Sequence, residues 1–101
     1  MLLEFTILPI GRGESLGADV AAVVDLIDRS GIPYRLTPMS TIVEGDWDDV
    51  LDLVKRCHQL ALSRCSRVAT TIHIDDRAGA AERMTGKVVS VEEHLGRRVH
   101  Q

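Results

Sequence analysis

The chain has 101 residues, 45% hydrophobic and 27% charged, with a net charge of -3. That length points to one domain, residues 1–96 with a frayed tail at 97–101, whose core can hold without disulfide staples. The acidic balance argues against a nucleic-acid groove, which needs a basic face, and three aromatic residues (Phe5, Tyr34 and Trp47) are too few for a base-stacking module.

Residues 2 to 9 alternate, with Leu3, Phe5 and Ile7 on one face and Leu2, Glu4, Thr6 and Leu8 on the other, which is the pattern of a half-buried strand. The turn GRGESLG follows, with Ser15 as a helix cap. Val20, Val23, Val24 and Ile27 then recur at helical spacing, and Gly31 ends that helix. PYRLTPM, residues 33 to 39, reads as a second strand, confined to a sheet edge because Pro33 and Pro38 cannot donate to a ladder. STIVEG, 40 to 45, is a short third strand. Asp46 can cap the next helix, and Asp48 and Asp49 suit its positive N-terminal end. The buried stripe of that helix is expected at Trp47, Val50, Leu51, Val54, Cys57 and Ala61. RVATTIHID, 67 to 75, is a fourth strand with Val68, Ile72 and Ile74 facing the core. Met84, Val88, Val91 and Leu95 mark a third helix.

The order β-α-β-β-α-β-α predicts an α+β, ferredoxin-like βαββαβ sandwich with an additional C-terminal helix. Strands one and three are central, and strands two and four lie at the edges. The sheet face away from the helices mixes short polar and apolar residues, among them Thr6, Leu8, Ala69, Thr71 and His73, and carries few of the Lys and Glu residues that a solvated face shows. It is therefore expected to meet another subunit.

No apolar run of about 18 residues or more occurs, so no transmembrane helix is expected. The N-terminus lacks a basic region and places Glu4 within its apolar stretch, unlike a signal peptide. A cytoplasmic protein is the expectation, with Cys57 and Cys65 as reduced thiols. The glycines of GRGESLG match neither a phosphate loop nor a dinucleotide fingerprint. His73 is the histidine best placed to contact a ligand, whereas His58, His94 and His100 read as structural or solvated. Adjacent side chains on a strand point oppositely, so Asp75 and Asp76 do not form a facing acid pair. In the structural reading, Asp76 caps the last helix or closes a turn, and Arg77 pairs with a carboxylate. No metal site and no cofactor is expected from the spacing.

Three stretches carry a resemblance: FTILPIG, SLGADVAAVVDLIDRSGIPYRLTPMSTIVEG and RVATTIHIDDR. In order and at these spacings, the sequence resembles the thiamine-binding protein family over about residues 3 to 95. The resemblance implies homo-oligomers, dimers that pair into tetramers through their sheets. It also implies binding of thiamine or its hydroxymethylpyrimidine precursor without catalysis. The ligand-binding positions it implies are Thr37, Met39, Ser40, Thr41 and Glu44 around the second hairpin, with Thr71 and His73 on strand four. His73 departs from the lysine frequent there in the family; histidine is shorter and can be neutral, so a contact made there would differ. The partners expected are a second copy and a small-molecule ligand, with neither nucleic acid nor membrane. Two other readings stand beside this one. One is an amino-acid-sensing or oligomerisation module; the other is a small dimeric enzyme using His73 or Glu44 as general base.

Overall fold

The computed structural model describes residues 1–11, 17–79 and 83–100. Its elements are β1 (Leu2–Pro9), α1 (Gly17–Arg29), β2 (Tyr34–Leu36), β3 (Thr41–Glu44), α2 (Trp47–Arg64), β4 (Val68–Asp75) and α3 (Arg83–Leu95). The four strands form one antiparallel sheet in the order β2-β3-β1-β4, so the chain is a ferredoxin-like α+β sandwich with an extra C-terminal helix. β2 lies at an edge, as its flanking prolines require. It is shorter than the sequence suggests because residues 37 to 40 make the turn into β3.

The register defines the two faces. Leu36, Thr41, Phe5 and Ile72 lie side by side on the face toward α1 and α2, while Arg35, Ile42, Glu4 and His73 form a row on the other. The core gathers Leu3 and Phe5 of β1, Val43 of β3, Ile27 of α1, and Val50, Leu53, Val54 and Cys57 of α2. α1 ends at Gly31, whose φ of 76° lies in the left-handed region where a side chain is strained. At Gly45 a Cβ would stand 3.0 Å from Cγ2 of Val50, so glycine lets β3 turn closely into α2.

Several expectations are corrected here. Val20 is half exposed, and Asp19 takes the buried place on α1, with 1% of its surface exposed. Leu53 is fully buried, although the expected stripe omits it, and Trp47 is half exposed. The Trp47 indole N–H donates to Oδ2 of Asp76 at 3.1 Å. Asp76 is thereby tied to the start of α2 and does not cap the last helix, which begins only at Arg83. Val91 and Leu95 of α3 are half exposed rather than part of a buried stripe. Asp46 stands at the N-cap of α2, but its side chain makes no capping hydrogen bond. The expected cap at Ser15 lies outside the described residues.

The third helix does not join the other two. Met84 and Val88 of α3 line the same groove as Leu2, Glu4 and Ile42, on the sheet face turned away from α1 and α2. Leu2 is consequently buried although it points away from the main core. Past Gly96, the N–H groups of Arg97 and Val99 donate to the backbone and carboxylate oxygens of Glu92. Among the described residues no helix is long and apolar enough to cross a membrane.

Two measurements test this core. Leu53→Ala removes a side chain with no exposed surface and is expected to cost roughly 2–5 kcal/mol in urea unfolding, whereas Met39→Ala, 84% exposed, should leave stability unchanged. Burial raises the Cys57 thiol from 9.0 to about 11, against a smaller downward pull from Arg56. The unfolded chain loses that proton at lower pH, so stability falls as pH rises from about 9 through about 11. Cys57→Ala should flatten this part of the stability profile.

Candidate functional site

The hairpin turn between β2 and β3 is held by one side chain. The Thr37 hydroxyl donates to the Ser40 carbonyl at 2.8 Å and accepts from the Ser40 N–H at 3.0 Å. The Thr37 N–H donates to that same carbonyl at 2.9 Å. Pro38 supplies the φ that such a turn needs. Thr37 therefore shapes the turn, and its hydroxyl is committed there. Met39 stands at the tip, while Thr41 is buried beside Phe5. The Ser40 hydroxyl, just before β3, donates to Oε2 of Glu4 on the adjoining central strand β1 at 2.7 Å.

Between this hairpin and α1 lies a cleft of about 200 Å³. Thr37, Met39, Ser40 and Thr41 line it, with apolar walls from Phe5, Ile7 and Val23. Among the described residues its one acidic lining residue is Asp19, which was not among the expected site residues. A signal was present: Asp19, Val23 and Ile27 stand four residues apart in turn, so a helix that buries Ile27 carries Asp19 inward on the same face. Burying a carboxylate is costly unless it is paired. Arg64, at the C-terminal end of α2, supplies the pair, with Nε 2.6 Å from Oδ1 of Asp19. The Arg64 side chain is 38% exposed, so its charge bridges the buried acid and solvent. This pair also links the ends of α1 and α2 beside the cleft.

The remaining three expected residues lie on the opposite sheet face. There a groove of about 580 Å³ runs between the sheet and α3, lined by Glu4, Arg35, His73, Asp75 and Lys87 over an apolar floor. His73 Nδ1 is 4.0 Å from Oε1 of Glu4, and its side chain is 84% exposed. Lys87 of α3 pairs with Asp75. Oε1 of Glu44 accepts from the Met84 N–H at 3.4 Å, tying β3 to the first turn of α3. Thr71 pairs with Thr6, on the bare part of this face beyond the groove. The seven residues thus fall into two groups. Thr37, Met39, Ser40 and Thr41 converge on the cleft, while Glu44, Thr71 and His73 do not reach it. Glu4 connects the groups, since one of its oxygens meets Ser40 and the other faces His73.

Chemically, the described lining offers the Thr41 hydroxyl, the remaining acceptor lone pairs of Ser40, apolar walls and the Asp19 carboxylate already paired with Arg64, a set suited to a small polar ring bearing N–H donors. The groove offers charges of both signs in the open. Its imidazole has no enclosed surroundings, which general-base chemistry ordinarily uses.

The model of a family described as thiamine-binding protein matches residues 3–92. A UPF0045 protein of Mycobacterium bovis is 36% identical over 96 residues, 94% of each chain. The fold is similar to that of a hypothetical protein from Methanocaldococcus jannaschii, with a TM-score of 0.83 and 26% identity over 91% of this chain and 95% of that one. It also resembles a Thermotoga maritima protein named for a candidate role in thiamine biosynthesis or salvage. There the TM-score is 0.79 and the identity 22%, over 89% of this chain and 96% of that one, a likeness of fold.

The turn itself is open to test. Thr37→Ala is expected to lose hydrogen-exchange protection at the Ser40 amide and to cost about 1 kcal/mol. Thr37→Ser keeps the hydroxyl and should restore the protection.

Proposed function

We propose that this chain, which belongs to the thiamine-binding protein family, binds thiamine or a related pyrimidine such as hydroxymethylpyrimidine, without chemical turnover. The observation that carries this reading is the meeting of four hairpin residues with the buried Asp19 in one cleft. An aminopyrimidine presents N–H donors and ring acceptors; the Thr41 hydroxyl can serve either, and the hydroxyl of Ser40, whose proton is donated elsewhere, can still accept. A carboxylate complements the amino group or the thiazolium charge. The cleft, at about 200 Å³, is smaller than the roughly 300–1,000 Å³ usual for drug-sized ligands. It therefore suits the pyrimidine ring, with the rest of a thiamine molecule lying outward past Met39.

The protein acts as a homo-oligomer in this reading. β4 is an edge strand, and Val68–Asp75 contains neither proline nor lysine to discourage pairing. Beside it the sheet face exposes Thr6, Leu8, Ala69 and Thr71 beyond the reach of α3. A second copy seated there would cover this apolar and threonine-rich strip. Both cysteines are free thiols, in keeping with a reducing cytoplasm.

Calorimetric titration with thiamine and with hydroxymethylpyrimidine tests the ligand. Saturable binding is expected, weakened roughly threefold to tenfold by Thr41→Val and unchanged by Glu44→Ala. The reverse sensitivity would move the ligand to the groove under α3, and no binding by folded protein would remove the assignment. In sedimentation velocity, the chain should run as a multiple of 11.1 kDa, and Thr71→Lys should shift it toward the monomer.

A further inference from the structure

A pyrimidine in the hairpin cleft leaves the groove under α3, on the opposite sheet face, without a role. That groove, at about 580 Å³, falls within the roughly 300–1,000 Å³ usual for small-molecule sites. Its apolar and charged groups are arranged side by side. Leu2 and Ile42 form the floor, and Met84 and Val88 face them from α3. Next to this patch Asp75 of β4 pairs with Lys87 of α3, so an ion pair spans from sheet to helix. Leu2 is the β1 partner of Asp75 and lies directly beside it. Glu4, one step along the same face of β1, adds a second carboxylate. The side chains of Glu4, Asp75 and Lys87 are each about half covered, and charges so placed interact more strongly than in open water.

From this we infer that the groove is a second binding site, which takes an α-amino acid with an aliphatic side chain. The amino acid's ammonium group donates to the Asp75 carboxylate, its carboxylate accepts from the Lys87 ammonium, and its side chain lies between Leu2, Ile42 and Val88. No groove residue has to lack a partner for this. A zwitterion carries one charge of each sign on neighbouring groups, so it can enter an existing ion pair and leave both members facing an opposite charge. A ligand with a single charge in the same place satisfies one member and strips the other of its partner, which costs more than the missing contact alone. The apolar patch then sets the side-chain class, because an aliphatic chain gains by leaving water and a polar one forfeits hydrogen bonds. Since the ligand touches both β4 and α3, its binding also fastens α3 to the sheet.

Calorimetry on the whole chain with L-leucine tests this, beside 4-methylpentanoate, which lacks the amino group, and 3-methylbutylamine, which lacks the carboxylate. Leucine should bind saturably, and each analogue about tenfold or more weakly. Lys87→Gln alters an exposed side chain and should weaken leucine about tenfold. Ile42→Phe fills the floor and should abolish leucine binding, whereas Thr41→Val, in the cleft, should leave it unchanged. Bound leucine should also raise hydrogen-exchange protection along α3. If Lys87→Gln loosens α3, Ile42→Phe decides, and the comparison of the three compounds on wild-type protein holds whether or not a variant folds. Absence of leucine binding, equal binding by either analogue, a leucine affinity that neither groove variant changes, or displacement of leucine by hydroxymethylpyrimidine would overturn the inference. The first three outcomes leave pyrimidine binding in the cleft untouched, and failure of the pyrimidine to bind leaves the groove assignment standing.

Discussion

β1 is held on both of its edges and covered on parts of both of its faces, and the remaining elements are arranged around that constraint. Its backbone pairs with β3 on one side and with β4 on the other. Leu3 and Phe5 pack beneath α2, while Leu2 on the reverse face is buried under α3. A strand in this position needs apolar residues on alternate sites and tolerates a few on the others, which LLEFTILP provides. Because β1 is central, its polar residues become shared ones. Glu4 meets Ser40 from the hairpin on one side and lies near His73 of β4 on the other.

The sheet also separates the candidate ligand positions. Side chains alternate across it, so residues that are neighbours in a motif can finish on opposite faces. Thr41 and Glu44 belong to one short strand, yet Thr41 lies in the cleft against α1, and Glu44 holds the start of α3. Ser40 is an intermediate case: it lines the cleft while its hydroxyl is tied to Glu4. The pleat thus divides the hairpin between the two faces of the sheet.

The pairing of Asp19 with Arg64 has a similar double character. It offsets the burial of a carboxylate by bringing in a half-solvated guanidinium from the far end of α2. It also fixes the acid beside the hairpin, so one interaction joins the two helices and places a carboxylate in the cleft wall. The neighbouring position Val20 points outward because α1 turns its Asp19–Val23–Ile27 line toward the sheet.

Much of the architecture was legible in the sequence, because it depends on local signals of definite period. The alternation of residues 2 to 9, the prolines around β2, Gly31 after α1 and the long apolar stripe of α2 specify the elements and the edge position of β2. The family motifs likewise belong to the sequence, including the hairpin that later lines the cleft. Tertiary structure alone decided which way each amphipathic helix faces within its tolerance. That choice buried Asp19 and Leu53, exposed Val20 and Trp47, and sent α3 to the reverse face of the sheet. These outcomes depend on partners remote in the chain, such as Arg64 for Asp19 and Asp75 for Lys87. Hydrophobic periodicity records where a helix is apolar; it carries no record of the distant charge that makes an acid tolerable inside.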